Sequence, residues 1–358
     1  MKQKKILAIN GESYCRNITG IERVATDIVK SLDKIAKQNE IELIVPSNAK
    51  NLPKLQNIKI ITLPYEIKSF PKWTQFIFQK YVIKNKRISF DFSNTCPLFA
   101  SGIEYLHDIY CKLYPSDFKS KRDKIVQKYS TFMYKTIAKH AKKIIAVSEY
   151  TKKTIVDTYK INPNKVSIVY DGLGDTYKNI SFDNSIFDKF PVLRNKDYYF
   201  TLGSLSTRKN LKWIADHAEL YPNELFVISG KALQNVVPPE LEKLKTMKNI
   251  ISAGYLSDGQ VKALMSKCKA FIFPSYFEGF GLPPLEALYC GAKIIISDAT
   301  CLPEIYKNCA FYINPDLPNI NLDELLLQKI DSPNAILNNF TVESSAAQLY
   351  DIIDKYIN

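Results

Sequence analysis

The stretch FIFPSYFEGFGLPPLEALYCG, residues 271–291, joins an apolar strand to a helix through a glycine-rich turn. Pro283 and Pro284 suit the first turn of a helix, where no backbone amide hydrogen is needed. Gly291 suits the position just after a helix, where the chain must stop and turn. The stretch therefore predicts a strand, a turn and a helix from about Leu282 to Tyr289, which is a unit of a doubly wound α/β sheet.

The turn between this strand and helix predicts a site for an anion. In doubly wound sheets, ligands sit beyond the carboxyl ends of the strands, where this turn lies. Its backbone amides and the positive end of the helix dipole attract an anion such as a diphosphate, and its two glycines allow close approach. The residues predicted to contact the anion are Gly279, Phe280, Gly281 and Leu282.

Two glutamates stand eight positions apart around this turn, Glu278 before the helix and Glu286 inside it. Like charge excludes them as phosphate ligands, but carboxylates are strong acceptors for hydroxyl groups. We therefore expect Glu286 to hold a ribose and Glu278 to hold a second sugar. Taken singly, each also fits a plainer role, Glu278 complementing the helix dipole and Glu286 lying on a solvated face.

Strands and helix-sized segments alternate along nearly the whole chain. In the second half the strands are short and apolar on both faces, which is typical of a parallel sheet covered by helices on both sides. In the first half, strands are predicted at Ile6–Asn10 and Ile41–Pro46, with a helix at Gly20–Ala36 between them. Two doubly wound α/β domains follow, with a boundary in the polar, aperiodic segment 172–196.

The composition is that of a globular protein with room for two domains, since 46% of its 358 residues are hydrophobic. Its seven cysteines include no C-x-x-C pair, so a reducing cytoplasm is the expected compartment. The first apolar run is only about five residues long, and no later run approaches the roughly 18 residues of a membrane span. We expect a soluble protein or, at most, one attached to the inner face of the cell membrane.

The positive charge is confined to the first half of the chain. Residues 1–180 carry 32 Lys and Arg against 16 Asp and Glu, whereas residues 181–358 carry 17 against 20. Such asymmetry indicates that the first domain meets an anionic surface or partner, and a solvated basic face without a partner is the alternative.

Several motifs together resemble the retaining GT-B glycosyltransferases of family four. EGFGLPPLE, residues 278–286, resembles the E-x7-E element of that family, and GSLSTRKN, residues 203–210, resembles its loop with adjacent Arg and Lys. In the first half, NITGIERV, residues 17–24, resembles the start of the family's first helix, and YLHDIY, residues 105–110, resembles its His-Asp loop. Further similar segments are SGK at 229–231, SAGYLS at 252–257, CLPEI at 301–305 and FTVESSAAQLYDII at 340–353.

The resemblance implies an α/β fold of the GT-B class. Two Rossmann-like domains with parallel sheets would face an interdomain cleft, and the C-terminal helix would return to the first domain. The acceptor-binding domain would comprise residues 1–180 with 341–358, and the domain for the nucleotide sugar would comprise residues 190–340. Residues 50–87 match no part of the family pattern.

The resemblance also implies a retaining, metal-independent glycosyltransferase. It would move a hexosyl or deoxyhexosyl group from a nucleoside-diphosphate sugar to a glycan or lipid-linked saccharide hydroxyl in bacterial surface polysaccharide synthesis. UDP, GDP and dTDP stay open as donor nucleotides. The alternatives are a glycoside hydrolase, a non-catalytic nucleotide-sugar-binding protein and a sugar-nucleotide epimerase on a similar fold. No D-x-D triplet occurs, so no metal is expected; neither a further cofactor nor a nucleic-acid partner is expected.

Four residues form the predicted catalytic set. Arg208 and Lys209 follow a strand and would place two positive charges where they stabilise the leaving diphosphate. Glu278 would hold the transferred sugar. His107 is one of three histidines; a lone histidine is more often structural, and the resemblance alone places it over the transferred sugar. The predicted donor-binding residues outside the turn are Gly20, Gly203, Ser204, Lys231, Tyr255, Leu256 and Glu286.

The segment SFPKWTQFIFQKYVIKNKR, residues 69–87, has the composition of an interfacial helix. Its apolar residues at near-helical spacing are Phe70, Trp73, Phe76, Ile77 and Tyr81, with Lys72, Lys84, Lys86 and Arg87 around them. A buried helix with solvated basic residues is the alternative. Together with the charge of the first half, the segment predicts weak, reversible attachment of the first domain to an anionic membrane.

Overall fold

The computed structural model describes residues 4–16, 20–203, 206–230 and 243–358. The chain divides into two compact units. Unit 1 comprises Met1–Gly174 and Phe340–Asn358, and unit 2 comprises Asp175–Asn339.

Unit 1 contains a sheet of seven parallel strands in the order β3-β2-β1-β4-β5-β6-β7. In the register of the central strands, Leu7 pairs with both Ile41 and Ile88. The strands are β1 Leu7–Asn10, β2 Ile41–Pro46, β3 Lys59–Leu63, β4 Ile88–Asp91, β5 Ile103–Leu106, β6 Lys143–Ala146 and β7 Val166–Ile168. All residues of β1, β2, β4 and β5 are buried, as the apolar runs predict for a sheet covered on both sides.

Helices connect these strands. Ser148 begins one of them by accepting a hydrogen bond from the Thr151 amide, which is an N-cap. The helices are α1 Gly20–Ile35, α2 Phe70–Lys72, α3 Gln79–Lys84, α4 Tyr110–Leu113, α5 Lys121–His140 and α6 Glu149–Tyr159. A π-helical segment, Trp73–Phe78, joins α2 to α3 without a break.

The segment from α2 to α3 belongs to the core of unit 1, which corrects its interpretation as an interfacial helix. Trp73 is 2% exposed, and its Nε1 donates to Oδ1 of Asn10 at 2.8 Å. The Tyr81 hydroxyl donates to Oε2 of Glu42 at 2.8 Å. Of the five apolar residues that the sequence singled out here, only Phe76 is exposed. The aromatic spacing therefore reflects packing beneath β1 and β2.

Unit 2 contains a sheet of six parallel strands in the order β10-β9-β8-β11-β12-β13. Phe271 of one central strand pairs with Phe200 on one side and Ile294 on the other. The strands are β8 Tyr199–Leu202, β9 Phe226–Ser229, β10 Ile250–Gly254, β11 Ala270–Phe273, β12 Ile294–Ser297 and β13 Phe311–Ile313.

The helices of unit 2 include the one predicted from its two prolines. They are α7 Asp175–Lys178, α8 Ile186–Lys189, α9 Leu211–Leu220, α10 Asp258–Lys267, α11 Leu282–Tyr289, α12 Leu302–Tyr306, α13 Leu322–Leu325 and α14 Asn334–Asn339. Gly281 precedes α11 with a φ of 88°, and a Cβ there would lie 2.7 Å from Cδ2 of Leu302. Only glycine meets both conditions without strain.

The last helix, α15 Val342–Ile357, belongs to unit 1 and packs against α1. The Tyr350 hydroxyl donates to Oε2 of Glu40 at 2.6 Å, and the Lys5 amide donates to the Ile357 carbonyl at 2.9 Å. The predicted return of the C-terminal helix to the first domain is confirmed.

Unit 2 begins at Asp175, earlier than the predicted start of the second domain at residue 190. The reason is Lys262, which is buried in α10 and donates to three carbonyls of the connecting segment. Its Nζ lies 3.3 Å from the Tyr177 carbonyl, 3.2 Å from that of Lys178 and 2.7 Å from that of Ile180. These bonds tie residues 177–180 to unit 2, a long-range contact that the local sequence does not show.

Both units are doubly wound, as predicted. In each sheet the strand order reverses at one point, between β1 and β4 in unit 1 and between β8 and β11 in unit 2. Ligands of such sheets bind beyond the carboxyl ends of the strands at these points. Within the described residues, every helix is too short or too polar to cross a membrane.

Candidate functional site

The reversal point of the second sheet brings three predicted catalytic residues together. Arg208 and Lys209 lie in a 3₁₀ turn, Thr207–Lys209, after β8, and Glu278 lies in the loop after β11. Since β8 and β11 are neighbours, their exit loops meet at the same edge of the sheet.

Glu278 is the centre of an ionic cluster, which consists of Arg208, Lys209, Ser275 and Glu278. Its carboxylate accepts from Arg208 Nη1 at 2.9 Å through Oε2, and from Lys209 Nζ at 2.7 Å through Oε1. The Ser275 hydroxyl donates to Oε1 at 2.6 Å. Glu278 is only 5% exposed, so these contacts replace water around the carboxylate.

The cluster keeps Glu278 ionised. Burial alone would raise the pKa of this carboxyl, but the charges of Arg208 and Lys209 and the bonds from Lys209 and Ser275 outweigh it and lower the pKa below its ordinary value. With two cations and one anion, the cluster keeps one net positive charge. It can therefore stabilise a further anion.

The sequence assigned separate partners to these side chains, a sugar for Glu278 and a diphosphate for the two cations. The structure instead directs them to one another. The sequence analysis did not identify Ser275, although a serine two residues after an apolar strand, at the edge where ligands bind, is a recognisable signal. Sugar binding by Glu278 and diphosphate binding by Arg208 and Lys209 stay predictions. All three side chains belong to the ionic cluster.

Two glycines let the strand exits beside this cluster approach each other. The Gly203 amide donates to the Ser229 carbonyl at 3.1 Å, and a Cβ on Gly230 would lie only 1.8 Å from the Gly203 carbonyl oxygen. A cavity of about 10 Å³ remains here, with Gly203, Lys209 and Ser229 in its lining. The predicted ligands Ser204 and Lys231 lie outside the described residues.

The remaining predicted donor-binding residues of unit 2 surround the same edge. Tyr255 follows β10 and is exposed, whereas Leu256 is buried. In the turn before α11, Phe280 is also buried, and contact of its amide with a diphosphate stays a prediction. Glu286 lies one turn into α11 and is 7% exposed.

His107 follows β5 in unit 1 and is buried with both ring nitrogens directed at protein atoms. Its Nε2 lies 2.9 Å from the Phe92 carbonyl, and because a carbonyl only accepts, Nε2 carries the hydrogen. Nδ1 lies 3.8 Å from Oδ2 of Asp171. This arrangement positions the ring; a contact of His107 with a sugar stays a prediction.

Asp171 is a site residue that the sequence analysis missed. Burial lowers the pKa of His107, but the nearby Asp171 carboxylate raises it by a larger amount. The pKa of His107 therefore lies above its ordinary value. Oδ1 of Asp171 is buried without a hydrogen-bond partner among the described residues. The signal that marks Asp171 is its place just after β7, at the carboxyl edge of the sheet.

Asp171→Asn is expected to lower the pKa of His107, because removing the carboxylate leaves burial and the Phe92 carbonyl as the main influences. Titration of the histidine ring protons by NMR measures this shift. His140 and His217 are the only other histidines, so three sets of ring signals have to be assigned. An unaltered His107 titration in the variant would show that Asp171 does not act on the ring.

The reversal point of the first sheet carries a buried polar network that the sequence analysis also missed. Asn10, at the end of β1, donates from Nδ2 to Oδ2 of Asp91, at the end of β4, at 2.6 Å. Arg16 Nη2 donates to Oε1 of Glu12 at 2.6 Å. Burial and the charge of Glu12 raise the pKa of Asp91 well above its usual range. The network holds residues 10–16, the described part of the segment that leads from β1 toward α1. Helix α1 begins at the predicted ligand Gly20.

In the described part of the chain, no three His, Cys, Asp or Glu side chains lie close enough together to hold a metal ion.

Family models match both units. A model described as glycosyl transferases group 1 matches residues 183–318, and one described as glycosyltransferase family 4 matches residues 18–175. Together they account for most of the chain.

Individual relatives agree with this match. The O-antigen chain mannosyltransferase RfbU of Salmonella typhimurium is 27% identical over 240 residues, which are 65% of this chain and 62% of that protein. Sucrose-phosphate synthase from Thermosynechococcus elongatus superposes with a TM-score of 0.73 at 13% identity and covers 99% of both chains. Anabaena HepE in complex with UDP superposes with a TM-score of 0.69 at 15% identity, over 98% of this chain and all of that one (100%).

Proposed function

Because the chain belongs to the group 1 glycosyltransferases and has their GT-B fold, we propose that it transfers a hexosyl group from a nucleoside-diphosphate sugar to a saccharide hydroxyl. The observation that carries this proposal is the ionic cluster of Arg208, Lys209, Ser275 and Glu278 at the reversal point of the second sheet.

In this function the two cations stabilise the leaving diphosphate. Its negative charge grows as the glycosidic bond breaks, so cations that are already oriented lower the barrier to transfer. Glu278 holds Arg208 and Lys209 in place, which removes the cost of ordering them during the reaction. Arg208 Nη1 donates both to Oε2 of Glu278 and to the Phe277 carbonyl, which fixes the guanidinium at the carboxyl edge of the sheet.

The donor and the process are proposed from the named relatives. Similarity to an O-antigen chain mannosyltransferase supports a mannosyl donor and a role in bacterial surface polysaccharide synthesis. The UDP complex of HepE supports a nucleoside-diphosphate site in this fold. We propose a lipid-linked saccharide as acceptor, in keeping with the basic character of residues 1–180.

We also propose that transfer retains the anomeric configuration and needs no metal. Both oxygens of Glu278 accept from Arg208, Lys209 or Ser275, which suits a positioning carboxylate and not a nucleophile. The two cations supply the charge that a metal would otherwise bring to the diphosphate. NMR of the product gives the anomeric configuration, and unchanged turnover in a chelator tests the metal.

Acceptor-dependent release of free nucleoside diphosphate tests the function as a whole. GDP-, UDP- and dTDP-sugars are supplied in turn with a lipid-linked saccharide acceptor, and the released nucleotide is measured. An epimerase would convert the donor sugar without acceptor and without release. A protein that binds the donors but releases no nucleotide with any acceptor would be a binding protein only.

Glu286→Ala is expected to weaken binding of the nucleotide, because a charged hydrogen bond to a ribose hydroxyl contributes roughly 1.5–3 kcal/mol. Thermal-shift titration measures it: at about 100 times its dissociation constant, a nucleotide adds about 2.7 kcal/mol of stability to the native protein. Glu219→Ala is the control, since Glu219 is an exposed helical glutamate of the same unit that pairs with Lys243. Equal shifts in wild type, variant and control would remove Glu286 from the ribose site.

A further inference from the structure

Helix α5 of unit 1 has two unlike halves. In its second half Met133, Tyr134 and Ile137 are buried, and the latter two belong to the core around β5 and β6. In its first half, residues 121–132, no side chain is buried. The core therefore explains the sequence of only half of this helix.

The first half of α5 presents an apolar row to solvent. Ile125 and Phe132 are seven residues apart, which puts them on one face of a helix, and we refer to them as the α5 stripe. Tyr129 lies between them along the helix, but it is half-buried and its hydroxyl is buried. Ile125 is 68% exposed and Phe132 is 53% exposed. The neighbouring α4 lies against the opposite face, where Gln127 Nε2 donates to the Cys111 carbonyl at 2.7 Å.

A row of lysines runs beside the α5 stripe. Lys121, Lys128 and Lys135 are seven residues apart, so they lie along one side of the helix, and all three are exposed. In the whole helix, six Lys and Arg accompany a single acidic residue, Asp123. The surface is thus apolar along one line and cationic along the next.

We propose that the first half of α5 docks on a bilayer surface containing anionic lipid. The α5 stripe would enter the boundary between headgroups and acyl chains, and the lysine row would meet lipid phosphates. Charge complementarity selects this occupant, since residues 1–180 carry 32 Lys and Arg against 16 Asp and Glu.

The position of α5 suits a lipid-linked acceptor. Helix α4 and the first half of α5 follow β5 along the chain, as His107 does, so they lie near the carboxyl edge of the first sheet. An acceptor carried in the membrane would therefore meet unit 1 at the edge where ligands are expected. The role of α5 in meeting a lipid-linked acceptor rests on the proposed function, whereas docking of α5 on the bilayer does not.

Cosedimentation with vesicles tests the α5 stripe against a matched control. Ile125→Ser with Phe132→Ser is compared with Phe76→Ser and Ile83→Ser, whose native side chains are equally exposed at 68% and 54%. On vesicles of phosphatidylcholine and phosphatidylglycerol at low salt, the α5 variant is expected to partition at least about tenfold more weakly than wild type. The control variant is expected to bind as wild type does.

The lysine row has its own variant. Lys121→Gln, Lys128→Gln and Lys135→Gln together are expected to weaken binding about 100-fold, from about fivefold per basic residue near an anionic surface. Lys72→Gln, Lys80→Gln and Lys84→Gln form the control, which keeps wild-type binding. Added salt weakens wild-type binding, and phosphatidylcholine alone binds little.

Three results would overturn the proposal: equal loss in test and control variants, equal binding to neutral and anionic vesicles, or no binding at low salt. A change of oligomeric state in the α5 variant, seen by analytical ultracentrifugation, would assign the surface to a second copy and also overturn it. Since the exchanged side chains are exposed, circular dichroism and Tm should be unchanged. The vesicle assay contains neither donor nor acceptor, so it tests docking separately from the proposed function. A protein that binds vesicles but shows no transfer would contradict the proposed function only. A protein that transfers sugar but does not bind vesicles would contradict docking only.

Discussion

Glu278→Ala is expected to reduce kcat for transfer by about 10²–10³-fold, the scale of losing one preorganised group that stabilises developing charge. The physical reason is the loss of orientation of Arg208 and Lys209, which contact Glu278 at 2.9 and 2.7 Å. Without the carboxylate, both cations must be ordered by the diphosphate itself. Steady-state kinetics with saturating donor measures the effect.

Two further variants separate this role from stability. Glu278→Gln keeps the shape and some hydrogen bonds but removes the charge, so it should lose activity with a smaller change in folding. Asp323→Asn is the control, because it removes an acidic partner of Lys269 at an exposed position of the same unit. If Glu278→Ala keeps its fold by circular dichroism and transfers at the wild-type rate, Glu278 has no part in catalysis.

The same carboxylate predicts a stability change in acid. The pKa of Glu278 is lower in the folded protein, so its stabilising contribution is present above the ordinary glutamate pKa of about 4.3. It is lost as pH falls through the lower, folded pKa. The difference in Tm between wild type and Glu278→Gln should therefore shrink as the pH is lowered below this range.

Arg208→Ala is the second variant with a large expected effect, a loss of about 10²–10³-fold in kcat with little change in KM. The guanidinium meets a charge that grows in the transition state, so its removal affects the rate more than the binding of the ground state. Arg208→Lys should recover only part of the rate, since an ammonium cannot contact Glu278 and two phosphate oxygens with the same planar geometry.

Arg194→Ala is the matched control for Arg208. Arg194 lies in the same unit and pairs with Asp188 at the surface, where ion pairs contribute little. A raised KM with an unchanged kcat in Arg208→Ala would make Arg208 a ground-state anchor for the diphosphate. That result would contradict its role at the leaving group while leaving the donor site in place.

Local sequence signals were sufficient for the element that carries the site. The two prolines and Gly291 predicted a helix at about Leu282–Tyr289, and α11 has these bounds in the structure. Proline in the first turn and glycine just after the last turn act through the backbone of neighbouring residues, so no distant contact is needed to predict them. The apolar runs predicted both parallel sheets for the same reason, since burial on both faces excludes polar side chains from a strand.

Local sequence signals do not show which residues, distant along the chain, contact each other in the fold. Glu278 and Arg208 are separated by 70 positions, and only the adjacency of β8 and β11 brings them together. Asp171 reaches His107 in the same way, through the neighbouring strands β5, β6 and β7. The sequence analysis predicted Glu278, Arg208 and His107 as catalytic residues but did not predict the contacts that they make. It did not identify Asp171.

Burial divides what the sequence alone determined from what the tertiary structure decided. Composition and charge determined that the first half of the chain carries the basic excess, and near-helical spacing predicted an aromatic helical face in residues 69–87. Whether an aromatic residue reaches solvent depended on packing: Trp73 is covered by the core beneath β1 and β2, while Phe132 on α5 is exposed. An amphipathic pattern fixes the faces of a helix, but a second element must be placed in space before one of them is buried.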